Sequence, residues 1–195
     1  MNEYVMNYII EEQLGEYYQS YVDTQKKDVF VKGINKINTI INKFLEEFDA
    51  WCGVGPEFAY WTCDSKIDYS FATPNIGTQY FMENLANIAP DIKCDPFLIS
   101  LLHELGHHET GHMFEEVEDL LFRKRKESMA VKLTTASEEE ARDLHFKYFN
   151  MPDEYEATMW AVNYMRNNTE KVAKLWAELQ PAIQEFYKNN EVEVA

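Results

Sequence analysis

Residues 103–107 read His-Glu-Leu-Gly-His, which places two histidines four residues apart with a glutamate directly after the first. On a helix, residues four apart lie one above the other on the same face, so both imidazoles can reach a single metal ion. Zinc suits two imidazoles with one carboxylate, and it keeps a fourth position open for water or substrate. The pattern therefore predicts His103 and His107 as metal ligands and Glu104 as general base, which is the chemistry of amide hydrolysis by a metalloprotease.

The same pattern recurs five residues later, at His108-Glu109-Thr110-Gly111-His112. Five helical steps of about 100° rotate this second set by about 140° from the first, so the two sets cannot share one ion on a regular helix. An apolar run precedes the first set, and a glycine near the end of the second indicates that the helix stops there. We expect His108 and His112 to be exposed, to lie at the helix end, or to contact the metal ligands without binding the ion. The alternative is that His108 and His112 bind the metal and His103 and His107 do not.

A site with two histidines needs a third protein ligand. The metzincin pattern would require glycine and histidine at the positions held by Thr110 and Met113, so that class is excluded. Two acidic clusters remain. Glu138–Glu140 occupy a predicted helix start, where capping and the helix dipole explain them without a metal. The other cluster contains Glu154 and Glu156, also near a helix start, so the residues alone leave the third ligand open.

The two segments together resemble the ImmA/IrrE-type metallopeptidases, particularly their small phage-associated members. The resemblance covers about residues 95–165 and is carried by His-Glu-Leu-Gly-His at 103–107 and by Glu154-x-x-Ala157-Thr158-x-Trp160-Ala161. In that family a helix with the motif Glu-x-x-Ala-Asn/Asp supplies the third zinc ligand, and its small residue permits close approach to the active-site helix.

By position, the resemblance implies Zn²⁺ held by His103, His107 and Glu154, with Glu156 as the fallback ligand. Thr158 stands where the family has Asn or Asp. That residue would orient a ligating histidine through a hydrogen bond to the ring nitrogen that does not bind the metal. A threonine hydroxyl is expected to do this less forcefully. The implied substrate is a peptide bond in a protein, for instance a repressor or regulator.

Charge excludes one broad class of function. The chain carries 34 acidic and 18 basic residues, a formal net charge of −16, so it will not attract nucleic acid through a general field. The only basic run, residues 123–126, reads as a solvated helix face. Two rivals to the enzyme stay open: a catalytically silent metallopeptidase-like binding module, and an acidic inhibitor that mimics nucleic acid.

The elements around these motifs predict an α+β fold, dominated by helices, with a small antiparallel sheet beside the active-site helix. The hairpin is expected from the aromatic-rich run Glu57–Cys63 and the alternating run Ile67–Phe71. One of these strands could hold a peptide substrate along the sheet edge. His145, Tyr148 and Tyr155 are available as a second electrophile, and the residue types do not choose among them.

Helices are predicted in the rest of the chain from apolar spacing and from start signals. Asp95-Pro96 is an N-cap followed by proline in the first turn, and Ser137 with Glu140 forms a capping box. The predicted helices cover residues 3–18, 28–49, about 81 onward, 96 into the histidine segment, 137 onward, 152–166 and 170–188, the last with Pro181 as a potential kink.

With 195 residues, the chain is predicted to form a single domain. Within it, residues 1–50 would be a helical N-terminal extension, 51–168 the catalytic core and 169–195 a C-terminal helix. Three cysteines, an odd number, favour free thiols in a reducing compartment. Neither a signal peptide nor a run of about 18 apolar residues is found, so we expect a cytoplasmic protein without membrane contact.

Overall fold

A computed structural model of the chain describes residues 24–52, 66–67, 76–111, 128–129, 132 and 135–189. They divide into two compact units, one drawn from Met1–Phe71 and Asn168–Ala195, the other from Ala72–Asn167. The helices described are α1 (Thr24–Leu45), α2 (Ile76–Ile88), α3 (Pro96–Glu109), α4 (Glu138–Phe149), α5 (Pro152–Asn167) and α6 (Thr169–Asn189). Among these residues, no helix is both long and apolar enough to cross a bilayer. The predicted single-domain organisation stays a prediction.

The first unit is a pair of packed amphipathic helices, α1 and α6. Side chains spaced three and four residues apart on each helix are buried, as expected for helices that share one apolar face. They are Ile37, Ile41 and Leu45 on α1, and Leu175, Leu179, Ile183 and Phe186 on α6. The two helices predicted for 28–49 and 170–188 are therefore confirmed; α1 is followed by a 3-10 turn at Glu46–Phe48, and α6 runs on through Pro181. The helix predicted for residues 3–18 lies outside the described residues.

The predicted α+β class with an antiparallel hairpin is wrong for the part of the chain that the structure describes, which is all-α. Its only extended pairing is a two-residue parallel ladder, β1 (Trp51–Cys52) with β2 (Lys66–Ile67). A parallel pair cannot be closed by a tight turn, so it is not the expected hairpin. The run Glu57–Cys63 lies outside the described residues, as does all of the run Ile67–Phe71 except Ile67. Short alternating runs are a weak signal, and the described core is instead closed by helix against helix.

The second unit is built around α3, which carries the first histidine pair. Asp95 is the predicted N-cap: its side chain accepts a hydrogen bond of 2.9 Å from the Phe97 amide, and Pro96 opens the helix. The helix ends at Glu109, and Gly111 follows with φ of 80°, a conformation that favours glycine. Both predicted ends of this helix are confirmed. The buried apolar side chains of α3 are Phe97, Leu98, Ile99, Leu101, Leu102 and Leu105.

Helices α4 and α5 form a helical corner at Asn150–Met151. The predicted capping box opens α4, because the Ser137 amide donates to the Glu140 side chain while the Glu140 amide donates to the Ser137 hydroxyl. At the corner, the Asn150 side-chain amide donates to the Phe146 carbonyl (2.7 Å) and to Asn84 Oδ1 on α2 (3.2 Å). The end of α4 is thereby tied to α2.

Helices α3 and α5 approach closely at Gly106 and Ala157. A Cβ atom added to Gly106 would clash with the Ala157 carbonyl oxygen and would lie 3.0 Å from the Ala157 Cα. The obstacle is backbone, which cannot rotate away as a side chain can. Because a glycine on one helix meets the backbone of the other, the residues on either side of this contact are brought face to face.

We predict that Gly106→Ala destabilises the protein by about 1–3 kcal/mol, because the methyl group forces two packed backbones apart. Without this clash the substitution would stabilise the protein, since alanine is the better helix former by about 1 kcal/mol. Urea unfolding of the metal-free protein measures the difference. Ser100→Ala on the same helix is the control, expected to stay within about 0.5 kcal/mol of the parent. A Gly106→Ala variant as stable as the parent would contradict the tight contact.

Candidate metal centre

Three side chains from α3 and α5 converge on one point. His103 and His107 lie one turn apart on α3, and Glu154 lies in the first turn of α5. One ligand atom from each residue lies within 4.8 Å of the others. Glu154 comes from 51 positions further along the chain than His103. The structure thus brings together the two histidines of the first set and the glutamate that the family resemblance selected.

The spacing of these atoms fits a small tetrahedral cation. His103 Nε2 is 3.1 Å and His107 Nε2 is 3.6 Å from Glu154 Oε2. Zinc bonds nitrogen and oxygen at about 2.0–2.1 Å, so tetrahedral geometry separates two of its ligand atoms by about 3.3 Å. The two observed separations lie on either side of that value. An ion of this size would therefore need only small side-chain adjustments.

Thr158 determines which nitrogen of His103 faces the cluster. Its hydroxyl donates to the Glu154 carbonyl at 2.8 Å, and a hydroxyl has only one hydrogen to donate. At the His103 Nδ1 atom, 3.0 Å away, Thr158 Oγ1 must therefore accept. The Nδ1–H group is engaged in this bond, so Nε2 is the ring nitrogen that faces Glu154 Oε2. Two lone pairs at 3.1 Å repel unless a proton or a metal ion lies between them.

The Glu154 carboxylate is held in its ionised form at this point. Only 2% of its side chain is exposed, and burial by itself raises the pKa of a carboxyl. The neighbouring imidazoles of His103 and His107 outweigh this effect and hold the pKa of Glu154 well below its usual value. Its place in the first turn of α5 adds the favourable field of the helix dipole. The residue therefore offers an anionic oxygen, the form that binds a cation.

Glu104 and Tyr148 are two further titratable groups near the cluster. Glu104 follows His103 on α3 and is half-buried. Burial raises the pKa of Tyr148 well above its ordinary value, and a hydrogen bond to Glu154 and the charges of Glu154, Glu104 and Asp153 act in the same direction. The phenol thus keeps its proton. Of the three electrophiles considered from the sequence, Tyr148 is the one near enough to Glu154 and Glu104 for their charges to act on its pKa.

An aromatic wall supports the histidines. The Phe81 ring on α2 meets His103 edge-on, with ring centroids 5.6 Å apart, and also packs on Phe149 at 5.1 Å. The imidazoles of His103 and His107 are nearly perpendicular, 84° apart, at 4.7 Å. The sequence analysis did not predict a role for Phe81. The local sequence of a helix does not indicate which of its residues will contact a histidine 22 positions away.

The other sequence candidates lie apart from the cluster. His108 Nδ1 contacts Glu109 Oε1 at 3.1 Å, and His112 lies outside the described residues. Glu156 is exposed, as are Glu138–Glu140, whose capping role is described above. Burial raises the pKa of the Cys94 thiol to about 11, so it is protonated and a poor metal ligand. In the described part of the chain, the first histidine set with Glu154 is the one group with metal-binding geometry.

Comparison of the chain with models of protein families, with curated proteins and with solved structures gives no match.

We predict that Thr158→Val lowers the affinity for zinc by about 10–100-fold, the usual effect of losing the group behind a metal-binding histidine. Valine has the same shape as threonine but cannot accept from His103 Nδ1. Thr158→Ser keeps the hydroxyl and is expected to bind zinc like the parent. Competition against a chelator of known affinity measures both. Equal affinity in the valine variant would show that Thr158 does not orient His103.

We predict that ionised Glu154 stabilises the metal-free fold in a pH-dependent way. Its pKa is lower in the folded than in the unfolded chain, so its contribution is present above the unfolded value of about 4.3 and is lost as the pH falls toward the folded value. Urea unfolding should therefore show the parent more stable than Glu154→Gln at pH 7, with a difference that shrinks below about pH 4. The exposed Glu156→Gln is the control. A difference that does not change with pH would contradict this account.

Proposed function

We propose that the protein is a zinc-dependent metallopeptidase whose metal is held by His103, His107 and Glu154. The observation that carries this proposal is the convergence of His103 Nε2, His107 Nε2 and Glu154 Oε2, with Glu104 directly following the first ligand. Structural zinc sites are normally closed by four protein ligands, whereas catalytic sites use three and leave a position for water or substrate. Among the residues that the structure describes the set has three ligands, which favours catalysis over a purely structural ion.

Different residues of the site would have different roles in hydrolysis. A bound zinc ion would supply Lewis acidity and lower the pKa of the attacking water. Glu104 would accept the proton of that water and deliver it to the departing amine, a role that requires a carboxylate within reach of both. Thr158 holds His103 in the tautomer that leaves Nε2 free. His107, with 14% of its side chain exposed, is the most solvent-accessible of the three ligands.

The proposed substrate is a peptide bond in a protein, and the proposed compartment is the reducing cytoplasm. The resemblance of residues 95–165 to ImmA/IrrE-type peptidases supports the first, with a repressor or regulator as an example. The free, protonated thiol of Cys94 is consistent with the second. The charge of −16 favours a protein partner over nucleic acid. Zinc and not another divalent ion is proposed because two imidazoles and a carboxylate suit it.

Metal analysis tests the ligand set. We expect about one zinc per chain in the purified protein, and less than a tenth of that in His103→Ala and Glu154→Ala after dialysis. The matched controls are His108→Ala and Glu156→Ala, which change the same residue types outside the cluster and should retain the metal. Zinc lost from the His108 variant and kept by the His103 variant would favour the second histidine set.

Glu104→Gln tests catalysis separately from binding. Removing a general base typically lowers a rate by 10²–10⁴-fold, so we expect this variant to bind zinc normally but to lose cleavage of a proteome-derived peptide library, read by mass spectrometry. Glu109→Gln, on the same helix, is the control. Cleavage unaffected by Glu104→Gln would refute the proposed mechanism, and a zinc-loaded parent without cleavage would favour a binding module. Salt-sensitive competition with DNA for a basic partner would favour nucleic-acid mimicry.

A further inference from the structure

Helix α2 contributes none of the three candidate ligands, yet one of its side chains contacts the cluster directly. The centroid of the Phe81 ring lies 5.6 Å from that of the His103 imidazole, and the two ring planes meet at 71°. Only 6% of Phe81 is exposed, so the contact lies in the protein interior. Edge-on packing is one of the arrangements that aromatic rings prefer. The contact is therefore a favourable one between two buried rings.

The Phe81 ring is itself held in place from α4. It packs on Phe149 with ring centroids 5.1 Å apart, and Phe149 stacks in turn on His145 at 5.9 Å. Asn84, three residues after Phe81 and so on the same face of α2, accepts a hydrogen bond of 3.2 Å from the Asn150 side-chain amide. Ring packing and a hydrogen bond thus both join α2 to the end of α4. Together they leave the Phe81 ring little freedom to move.

The polar contacts of His103 restrain the tilt of its ring only weakly. Thr158 Oγ1 lies 3.0 Å from Nδ1, and Glu154 Oε2 lies 3.1 Å from Nε2, so both contacts are made at the ring nitrogens. Turning the imidazole about the line that joins its two nitrogens changes neither distance much. A metal ion bonds an imidazole nitrogen in the plane of the ring, so the same turn would aim Nε2 away from the ion. Metal binding therefore needs a further contact that fixes the ring plane.

Among the described residues, two rings meet the His103 imidazole at steep angles, and such contacts oppose a change of tilt. One is His107, at 84° with ring centroids 4.7 Å apart, and the other is Phe81. His107 belongs to the proposed ligand set, so its own ring must also be oriented. Phe81 carries no group that binds a cation of this kind, and its position is fixed from α4. It can therefore hold the ring plane of His103 whether or not an ion is bound.

We infer that Phe81 is a positioning residue for the metal centre, whose ring fixes the tilt of the His103 imidazole so that Nε2 points to the ion. The inference rests on the proposed zinc site and adds α2 to the helices that form it. The ring also belongs to the apolar shell around the ligands, which limits the access of water to a metal site. The role requires no contact between Phe81 and the substrate.

Metal binding by the full chain tests this inference. Phe81→Leu keeps an apolar side chain at this position but removes the ring. We expect the variant to bind zinc about 3–10-fold more weakly than the parent, the effect of losing one aromatic pair. Its Co²⁺ complex should show shifted visible absorption bands, because a tilted imidazole changes the geometry around the ion.

The matched control is Phe97→Leu, which removes a ring from a similarly buried position in the first turn of α3. We expect it to lower the thermal midpoint of the metal-free protein, as Phe81→Leu does, because both substitutions remove buried apolar atoms. Its zinc affinity should stay within about twofold of the parent, and its Co²⁺ spectrum should not change, because the His103 ring keeps its packing partner.

The outcomes separate this inference from the proposal beneath it. A parent protein that binds neither zinc nor Co²⁺ would overturn both. A parent that binds the ions, with a Phe81→Leu variant of equal zinc affinity and identical Co²⁺ spectrum, would overturn the positioning role alone. The positioning role is also wrong if the two leucine variants lose stability and zinc affinity to the same extent while both keep the parent's Co²⁺ spectrum, because the ring then serves only the fold.

A second measurement decides the question if Phe81→Leu does not fold. 4-Fluorophenylalanine at position 81 keeps the ring, and its ¹⁹F resonance reports on the surroundings of that ring. We expect the resonance to shift when the protein is saturated with zinc, while the same label at position 97 does not shift. An unmoved resonance at position 81, in a protein that takes up zinc, would show that the ring does not sense the ligand cluster.

Discussion

The contact between Gly106 and Ala157 is the constraint on which the candidate centre depends. Gly106 lies between His103 and His107 on its helix, and Ala157 lies between Glu154 and Thr158 on the other. Because a helix turns in 3.6 residues, positions three and four apart share a face, so each small residue is flanked by the functional side chains of its own helix. Where the two backbones touch, the four functional side chains must meet.

That meeting is costly unless the polar groups satisfy one another. Glu154 and Thr158 are almost completely buried and His103 nearly so, and buried polar atoms without partners cost free energy. Thr158 lowers this cost, because its hydroxyl accepts a hydrogen bond from His103 and donates one to the Glu154 carbonyl. What remains is a point at which the Nε2 atoms of two imidazoles and one carboxylate oxygen lie close together. A protein core built only for stability would place apolar side chains there, and this contrast is in keeping with the metal site that we propose.

The helical frame also explains how distant and local contacts are combined. The histidine pair and Glu154 are joined across about 50 residues of sequence, which requires α3 and α5 to pack closely. Helices α4 and α5 are joined by a two-residue corner, whose geometry depends on hydrogen bonds from Asn150 and Met151. The first arrangement depends on helix packing and the second on a turn, and together they place Glu154. None of the described contacts at the centre involves a β-strand.

The sequence by itself determined the features that depend on neighbouring residues. The helix start at Asp95-Pro96, the capping box at Ser137 and the helix end before Gly111 are short-range hydrogen-bonding patterns, and the structure has them where they were predicted. The geometry of His103 and His107 also follows from their spacing on one helix. The choice of Glu154 over Glu156 was different, since it came from resemblance to a family motif and not from local patterns.

Only the tertiary structure decided which groups meet across helices. Among the described residues it shows helices packed on helices and not the expected α+β arrangement; a short alternating run carries too little information to specify a strand. It also showed Phe81 against His103 and Gly106 against the Ala157 backbone. Each of these contacts depends on the distance and rotation between two elements. A residue's own neighbours in the chain do not encode those quantities, so they become visible only once the helices are packed.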